Sequence, residues 1–103
     1  MSAFPLRMIY RHGTTAADHT PGVQVLISVS KRHFHHAIDR NRVKRQLREA
    51  WRLNRDLLMA TLPPEAWINV VFIWQADQHQ PTDTVARKMR NLLHRLSEEL
   101  CAG

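Results

Sequence analysis

The side chains in this sequence that are best suited to chemistry are cations, and most of them lie in one short stretch. Residues 31–55 hold nine of the fifteen Lys and Arg side chains against only two acids, Asp39 and Glu49. That stretch has a net charge of +7, whereas all the other residues together have a net charge of −1. Such a segregated charge repels itself in the folded protein and requires a polyanionic partner to offset it. The distribution therefore predicts that this region binds nucleic acid.

The basic stretch also has the periodicity of an amphipathic helix over residues 40–60. At about 100° per residue, its apolar side chains fall on one side and most of its cations on the other. The polar side contains Asn41, Lys44, Arg45, Arg48, Arg52 and Arg55. Arginine dominates, and its planar guanidinium can bind two phosphate oxygens at once. The alternative is a solvated helix face, but such faces usually pair cations with acids four residues apart, and only Glu49 interrupts this one.

Three histidines, His33, His35 and His36, lie just before this helix. Imidazole can bind zinc or nickel, but no Cys or carboxylate stands nearby at ligand spacing, so we predict no metal site. A solvated loop and a contact with phosphate or ribose stay open as equal alternatives. Catalysis by this chain alone would need clustered carboxylates to hold metal ions. Its other acids are scattered and form no motif, among them Asp18, Asp56, Glu65, Asp77 and Asp83. We therefore predict no catalytic residue.

Aromatic side chains offer a second way to bind RNA, because they stack on bases. The best candidates are Tyr10 and Phe34, and Trp51 is a weaker one. For each of them the alternative is packing in the core. The side chains predicted to lie in the core are Trp67, Phe72 and Trp74.

The elements that must position these residues alternate in type along the chain. Residues 4–11 and 23–30 have the alternation of strands, with a loop at 12–22 between them. One face of the first strand carries Phe4, Leu6, Met8 and Tyr10. A pair of prolines ends the basic helix, and residues 67–75 are apolar on both faces, which predicts a strand covered on both sides. An amphipathic helix follows.

The order strand, strand, helix, strand, helix predicts an α+β fold, a two-layer sandwich with a small mixed sheet. A length of 103 residues is that of one domain, which we predict to span residues 1–103. The longest apolar run, at residues 68–74, is too short to cross a bilayer. Cys101 is the only cysteine, which favours a reducing cytoplasm.

The basic stretch closely resembles the signature of the bacterial ribonuclease P protein component family. Val29-Ser30-Lys31-Arg32 is similar to the family's VSKK-like strand end, with Arg32 in place of a frequent lysine. After a short loop, the family's pattern Ala-hydrophobic-x-Arg-Asn-Arg-x-Lys-Arg-x-x-Arg-Glu is met at every fixed position from Ala37 to Glu49. Trp51 stands where an aromatic side chain is typical, and the resemblance covers nearly the whole chain.

The resemblance implies a fold like ribosomal protein domain 2, with a left-handed βαβ crossover through the basic helix, an exception to the usual handedness. It implies two partners, the catalytic RNA subunit and the 5′ leader of precursor tRNA, and neither DNA nor a membrane. It implies RNA contacts from Lys31, Arg32, Arg40, Asn41, Arg42, Lys44, Arg45, Arg48 and Arg52. For the leader cleft that it also implies, the candidates are Tyr10 and Phe34.

The resemblance further implies that the RNA subunit cuts the phosphodiester with Mg²⁺ that it mainly binds itself, while this chain positions the substrate and screens charge. Family members usually begin with a helix, and this chain starts at about the strand that follows it. We therefore expect it to lack that helix and part of the leader cleft. Two other functions stay open: a non-enzymatic RNA-binding module of ribosomal or RNA-chaperone type, and a metal-dependent nuclease that works alone.

Overall fold

The structure, a computed structural model, describes residues 1–14 and 22–102. Its elements are β1 (Ser2–Ala3), β2 (Leu6–Thr14), β3 (Gly22–Ser28), α1 (Ala37–Asn54), α2 (Asp56–Met59), β4 (Ala66–Trp74) and α3 (Thr82–Ala102). Strand β2 continues to Thr14 and β3 begins at Gly22, so both ends of the predicted loop at 12–22 belong to strands. The rest of that loop, residues 15–21, lies outside the described residues. Among the described helices, none is both long and apolar enough to cross a membrane.

The strands form one mixed sheet of four in the order β1-β2-β4-β3. Strand β2 is antiparallel to β1 and to β4, whereas β3 and β4 are parallel neighbours. Parallel neighbours need a long connection between them, and here that connection contains α1 and α2. The predicted α+β fold with a small mixed sheet is confirmed, and the handedness of its crossover stays a prediction.

The core lies between one face of the sheet and the helices α1 and α3. Alternate residues of a strand point to the same face, and β4 buries Ile68, Val70, Phe72 and Trp74. The helices bury residues three and four apart, as an amphipathic helix does. From α1 these are Val43, Leu47 and Ala50, and from α3 they are Val85, Met89, Leu92, Leu93 and Leu96. The predicted core positions of Phe72 and Trp74 are confirmed, whereas Trp67 is buried beside Gly13 and outside this core cluster.

The prediction that β4 is covered on both faces is wrong. On the outward face of β4, Asn69, Val71 and Ile73 are only half-buried, although Trp67 near the start of the strand is buried. On the neighbouring strands, 63% of Leu26 and 46% of Ile9 are exposed on the same face. The register explains why an apolar sequence is found there, because Val71 lies between Ile9 on β2 and Leu26 on β3. These side chains partly shield one another across the sheet. The apolar outer positions of β4 therefore reflect its place at the centre of the sheet rather than a second covering layer.

Two boundaries also differ from the sequence prediction. Strand β2 begins at Leu6, and Phe4 lies exposed in the turn before it, so Phe4 does not share the buried face of Leu6 and Met8. The basic helix begins earlier than predicted, at Ala37, and is interrupted at Arg55 before the short α2. Both differences arise where a local turn, rather than side-chain periodicity, determines the end of the element.

Asn54 is a polar residue on the apolar side of α1, and its burial is explained by its hydrogen bonds. Its Nδ2 donates to the carbonyl of Ala50 at 2.9 Å and to the carbonyl of Ala86 at 3.3 Å. Buried polar groups of this kind are stable only when they are hydrogen-bonded. The second bond joins the end of α1 to α3, which fixes the two helices relative to each other.

Leu47→Ala should lower the free energy of unfolding by about 2–5 kcal/mol, because it removes buried methyl groups and leaves a cavity. Leu53 on the same helix is 58% exposed, whereas Leu47 is fully buried. Leu53→Ala is therefore the matched control, and it should change stability by less than about 0.5 kcal/mol. Chemical denaturation measures both values. Equal losses in the two variants would show that the register of α1 is wrong.

Candidate nucleic-acid interface

The solvent side of α1 carries exposed cations because its other side is fixed in the core. Val43 and Leu47 are buried, so the helix cannot rotate without exposing them. The exposed predicted positions on this helix are Asn41, Arg42, Arg45, Arg48 and Arg52, and the half-buried ones are Arg40 and Lys44. The loop before the helix exposes Lys31 and Arg32. Every residue predicted to bind RNA through charge or a polar side chain thus lies on α1 or on the loop that leads into it.

Arg40 is bound to the protein's own backbone. Its Nη1 donates hydrogen bonds to the carbonyl oxygens of Phe34 and His35, both at 2.9 Å. These two carbonyls belong to the loop that precedes α1, where no regular ladder of hydrogen bonds satisfies them. Arg40 therefore holds the loop against the first turn of the helix, and a contact between Arg40 and RNA stays a prediction.

Arg52 is paired with an acid of the same helix. Its Nε and Nη2 donate to the two carboxylate oxygens of Glu49, three residues earlier. The hydrogen bond from Arg52 holds the pKa of Glu49 below its ordinary value, and the same bond raises the pKa of Arg52. Both side chains are exposed, so any phosphate that binds Arg52 competes with Glu49 for one guanidinium. We call the cations of α1, together with Lys31 and Arg32 of the loop before it, the basic face. Glu49 thus offsets one cation of the basic face.

A groove runs between α1 and the start of α3. It has a volume of about 460 Å³ and is lined by Arg42, Arg45, Gln46 and Glu49 on α1 and by Gln80, Pro81 and Thr82 opposite. The Nε2 of Gln46 donates to the carbonyl of Gln80 at 2.8 Å and to Oγ1 of Thr82 at 3.2 Å, which joins the two walls. Two guanidinium groups at a concave surface can bind one phosphate from two sides. This groove is therefore the part of the basic face that is best shaped for an RNA backbone.

The candidate aromatic residues all contact other side chains of the protein. Tyr10 is half-buried, its ring stacks on His12, and a hydrogen bond with Glu99 raises the pKa of Tyr10. Phe34 is only 8% exposed, and its ring stacks on His79. Trp51 is half-buried with its ring centroid 6.2 Å from that of Phe72. The assignment of Tyr10 and Phe34 to a leader cleft stays a prediction.

Two histidine–aspartate pairs border the basic face, and the sequence gives no local sign of them. The Nδ1 of His33 lies 2.7 Å from Oδ1 of Asp77, and the Nε2 of His79 lies 3.2 Å from Oδ1 of Asp39. The partners are 44 and 40 residues apart in the chain. His79 and Asp77 were therefore missed as site residues, because only the folding of β4 beside β3 brings them to this loop. His35 and His36 are exposed.

Metal ligands do not gather in the part of the chain that the structure describes. No group of three or more His, Cys, Asp or Glu side chains there could hold a metal ion. Of the scattered acids, Asp18 lies outside the described residues, and Asp77 is paired with His33. The described residues therefore offer no cage for the Mg²⁺ that the resemblance implies.

The signature on α1 and the fold around it agree with known proteins. The sequence profile of the family called Ribonuclease P matches residues 2–97. The chain belongs to the ribonuclease P protein family. The ribonuclease P protein component of Porphyromonas gingivalis is 38% identical over 96 residues, which is 91% of this chain and 68% of that protein. The one from Chlorobium phaeobacteroides is 41% identical over 54 residues, or 52% of this chain and 37% of that protein.

A solved structure supports the fold independently. The RNase P protein from Thermotoga maritima superposes with a TM-score of 0.70, covering 92% of this chain and 80% of that one. Its sequence is only 22% identical, so this similarity shows the fold alone. The ribonuclease P fold and the family's Arg-Asn-Arg block on α1 are thus found together in this chain.

Glu49→Gln should raise the affinity for RNA, because it removes a negative charge from the groove and releases Arg52 to bind phosphate. One additional phosphate contact steepens the log–log dependence of affinity on salt by about 0.7–0.9. The matched control is Glu98→Gln on α3, which removes the same charge from a carboxylate paired with His94. Binding titrations at several salt concentrations measure both. If the control raises affinity as much, net charge alone is responsible and the pair with Arg52 has no separate effect.

Proposed function

We propose that this chain, the protein component of a ribonuclease P, binds the catalytic RNA through the solvent side of α1 and assists removal of the 5′ leader from precursor tRNA. The observation that carries the proposal is the segregation of charge on one helix. Arg42, Arg45 and Arg48 are exposed, while Val43 and Leu47 between them are buried. The match of the chain to the family, and to relatives named ribonuclease P protein component, supports it.

The arrangement of these arginines suits a sugar–phosphate backbone. Residues three apart on a helix are separated by about 4.5 Å along its axis and lie on neighbouring parts of its surface. Each guanidinium that neutralises a phosphate releases condensed counterions, which provides affinity without reading sequence. Glu49 is the only acid within this run of arginines, and it is engaged by Arg52. The charge left uncompensated is therefore available to a polyanion.

RNA is favoured over DNA as the partner by the element that precedes the basic helix. A helix–turn–helix protein places a second short helix before its recognition helix. Here β3 and the loop from residue 29 to residue 36 stand in that position. A helix beside a sheet and a groove suits recognition of RNA shape and of single strands. DNA and membranes are accordingly absent from the partners that we propose.

In this proposal the RNA subunit does the chemistry and binds most of the Mg²⁺. The protein positions the substrate and reduces the repulsion between two RNA molecules that must lie side by side. Tyr10 is the better candidate for the leader, because its ring is half-buried, whereas Phe34 must leave its stack on His79 to reach a base. The cytoplasm is the compartment that we propose, since a chain with a single cysteine fits a reducing compartment.

Cleavage of precursor tRNA at the 5′ end should require the catalytic RNA, and this chain should stimulate it at low magnesium concentration. The reason is that the protein lowers electrostatic repulsion instead of supplying reactive groups. A reconstitution assay with protein alone, RNA alone and both together measures this. Cleavage by the protein alone would support a metal-dependent nuclease, and binding without stimulation would support a non-enzymatic RNA-binding module.

Arg45→Glu combined with Arg48→Glu should weaken binding to the catalytic RNA at least about tenfold, since each reversal replaces an attractive phosphate contact by a repulsive one. The fold should persist, because both side chains are exposed. The matched control is Arg87→Glu with Arg90→Glu, which makes the same charge change at exposed positions of α3. Thermal unfolding confirms folding in both double variants. An equal loss of affinity in the control pair would contradict the assignment of the interface to α1.

A further inference from the structure

The segment between β4 and α3 is attached to both parts of the basic face. Asp77 contacts His33 in the loop, His79 contacts Asp39 in the first turn of α1, and Gln80 accepts a hydrogen bond from Gln46 further along the helix. We call this segment, residues 77–80, the clasp. It contains no lysine or arginine, so it adds no cation to the interface. Its contacts instead determine where the cations of the loop and the helix stand relative to each other.

His79 makes the contact that joins loop and helix. Its ring stacks on Phe34 with the centroids 4.7 Å apart and the planes 21° apart, while its Nε2 lies 3.2 Å from Asp39. Phe34 belongs to the loop and Asp39 to α1. One side chain from a distant part of the chain therefore holds both sides of the junction at which the loop enters the helix.

Other contacts complete the same junction. The pair between His33 and Asp77 holds the loop from the side of the clasp, and Arg40 holds the carbonyls of Phe34 and His35 from the side of the helix. Each contact is at least partly exposed, and pairs of this kind contribute little one by one. Together they restrict a loop that has no regular secondary structure of its own.

The loop carries Lys31 and Arg32, both exposed. Ordering flexible cations when RNA binds costs conformational entropy, both for their side chains and for the backbone that carries them. A loop that is already ordered avoids the backbone part of that cost. We infer that His79 is a positioning residue, which holds the loop so that Lys31 and Arg32 reach RNA phosphates together with the arginines of α1. The inference deepens the proposed function and rests on it.

His79→Ala should weaken binding to the catalytic RNA about three- to tenfold, the equivalent of fixing the backbone of about one residue of the loop when RNA binds. Amides of residues 31–36 should exchange hydrogen faster in the free variant than in the parent protein. The matched control is His94→Ala, which removes another exposed histidine–carboxylate pair, on α3. That control should change neither quantity. Unaltered RNA affinity in His79→Ala, with folding verified by thermal unfolding, would overturn the inference.

Two conservative variants separate the two contacts of His79. His79→Phe keeps a ring to stack on Phe34 but loses the hydrogen bond to Asp39, and His79→Gln keeps a donor for Asp39 but loses the ring. Each should retain part of the affinity that His79→Ala loses. They also keep the test decisive if His79→Ala fails to fold, because full wild-type affinity in both would overturn the inference.

A double-mutant cycle shows whether His79 acts through the loop cations. In a background of Lys31→Ala and Arg32→Ala, the further change His79→Ala should have little additional effect on affinity. An undiminished effect in that background would mean that His79 acts elsewhere, and the inference would fail. The proposed function fails separately, if Arg45→Glu with Arg48→Glu leaves binding to the catalytic RNA unchanged.

Discussion

The burial of Val43 and Leu47 in the core determines the direction of the arginines on the solvent side of α1. A helix is rigid about its own axis, so fixing its apolar side in the core also fixes the direction of the arginines on the other side. The sheet supplies the surface for that burial, with β3 and β4 as parallel neighbours and α1 in the connection between them. The interface is thus ordered by a hydrophobic core that exists before any RNA arrives.

The same arrangement concentrates like charges, and the protein offsets only part of the resulting repulsion. Arg40 is held by two backbone carbonyls and Arg52 by the carboxylate of Glu49. Arg42, Arg45 and Arg48 are exposed, with no ion pair found for them among the described residues. Their mutual repulsion destabilises the isolated protein and is relieved by a polyanion. In the proposed function, affinity for RNA comes from the charges that the fold leaves uncompensated.

The parts of this molecule that could be predicted from the sequence are those that repeat with a helical or strand period. Leu47 in the core and Arg48 on the surface follow from one wheel, and the alternation of β3 gives its buried face. The coverage of β4 was predicted wrongly, because Val71 and Leu26 are apolar for a reason of sheet register that a single strand does not reveal. Register across strands is a tertiary property, and no local period encodes it.

On the basic face, the exposure of most of the cations was predictable from the sequence, but their contacts within the protein were not. The pair of Arg52 with Glu49 has the i,i+3 spacing that the sequence itself displays. From the sequence, Glu49 was interpreted as an interruption of the cationic side of the helix and not as the partner of one arginine. The bonds from Arg40 to loop carbonyls have no sequence signal, because any backbone can supply such acceptors. His79 and Asp77 lie some forty residues from the groups that they contact, so only the completed sheet brings them there.

The choice of histidine as the partner for the acids beside the basic face has a physical reason. Asp39 lies next to Arg40 on α1, and Asp77 contacts the loop that carries Lys31 and Arg32. A carboxylate that pairs with such a cation removes it from RNA binding. Each is instead within hydrogen-bonding distance of a histidine, His79 or His33. Asp39 is also in the first turn of α1, where a negative charge is favoured by the helix dipole. The loop is therefore held in place without engaging Arg42, Arg45 or Arg48, so the contacts that order the loop and the charges that we propose to bind RNA are provided by different residues.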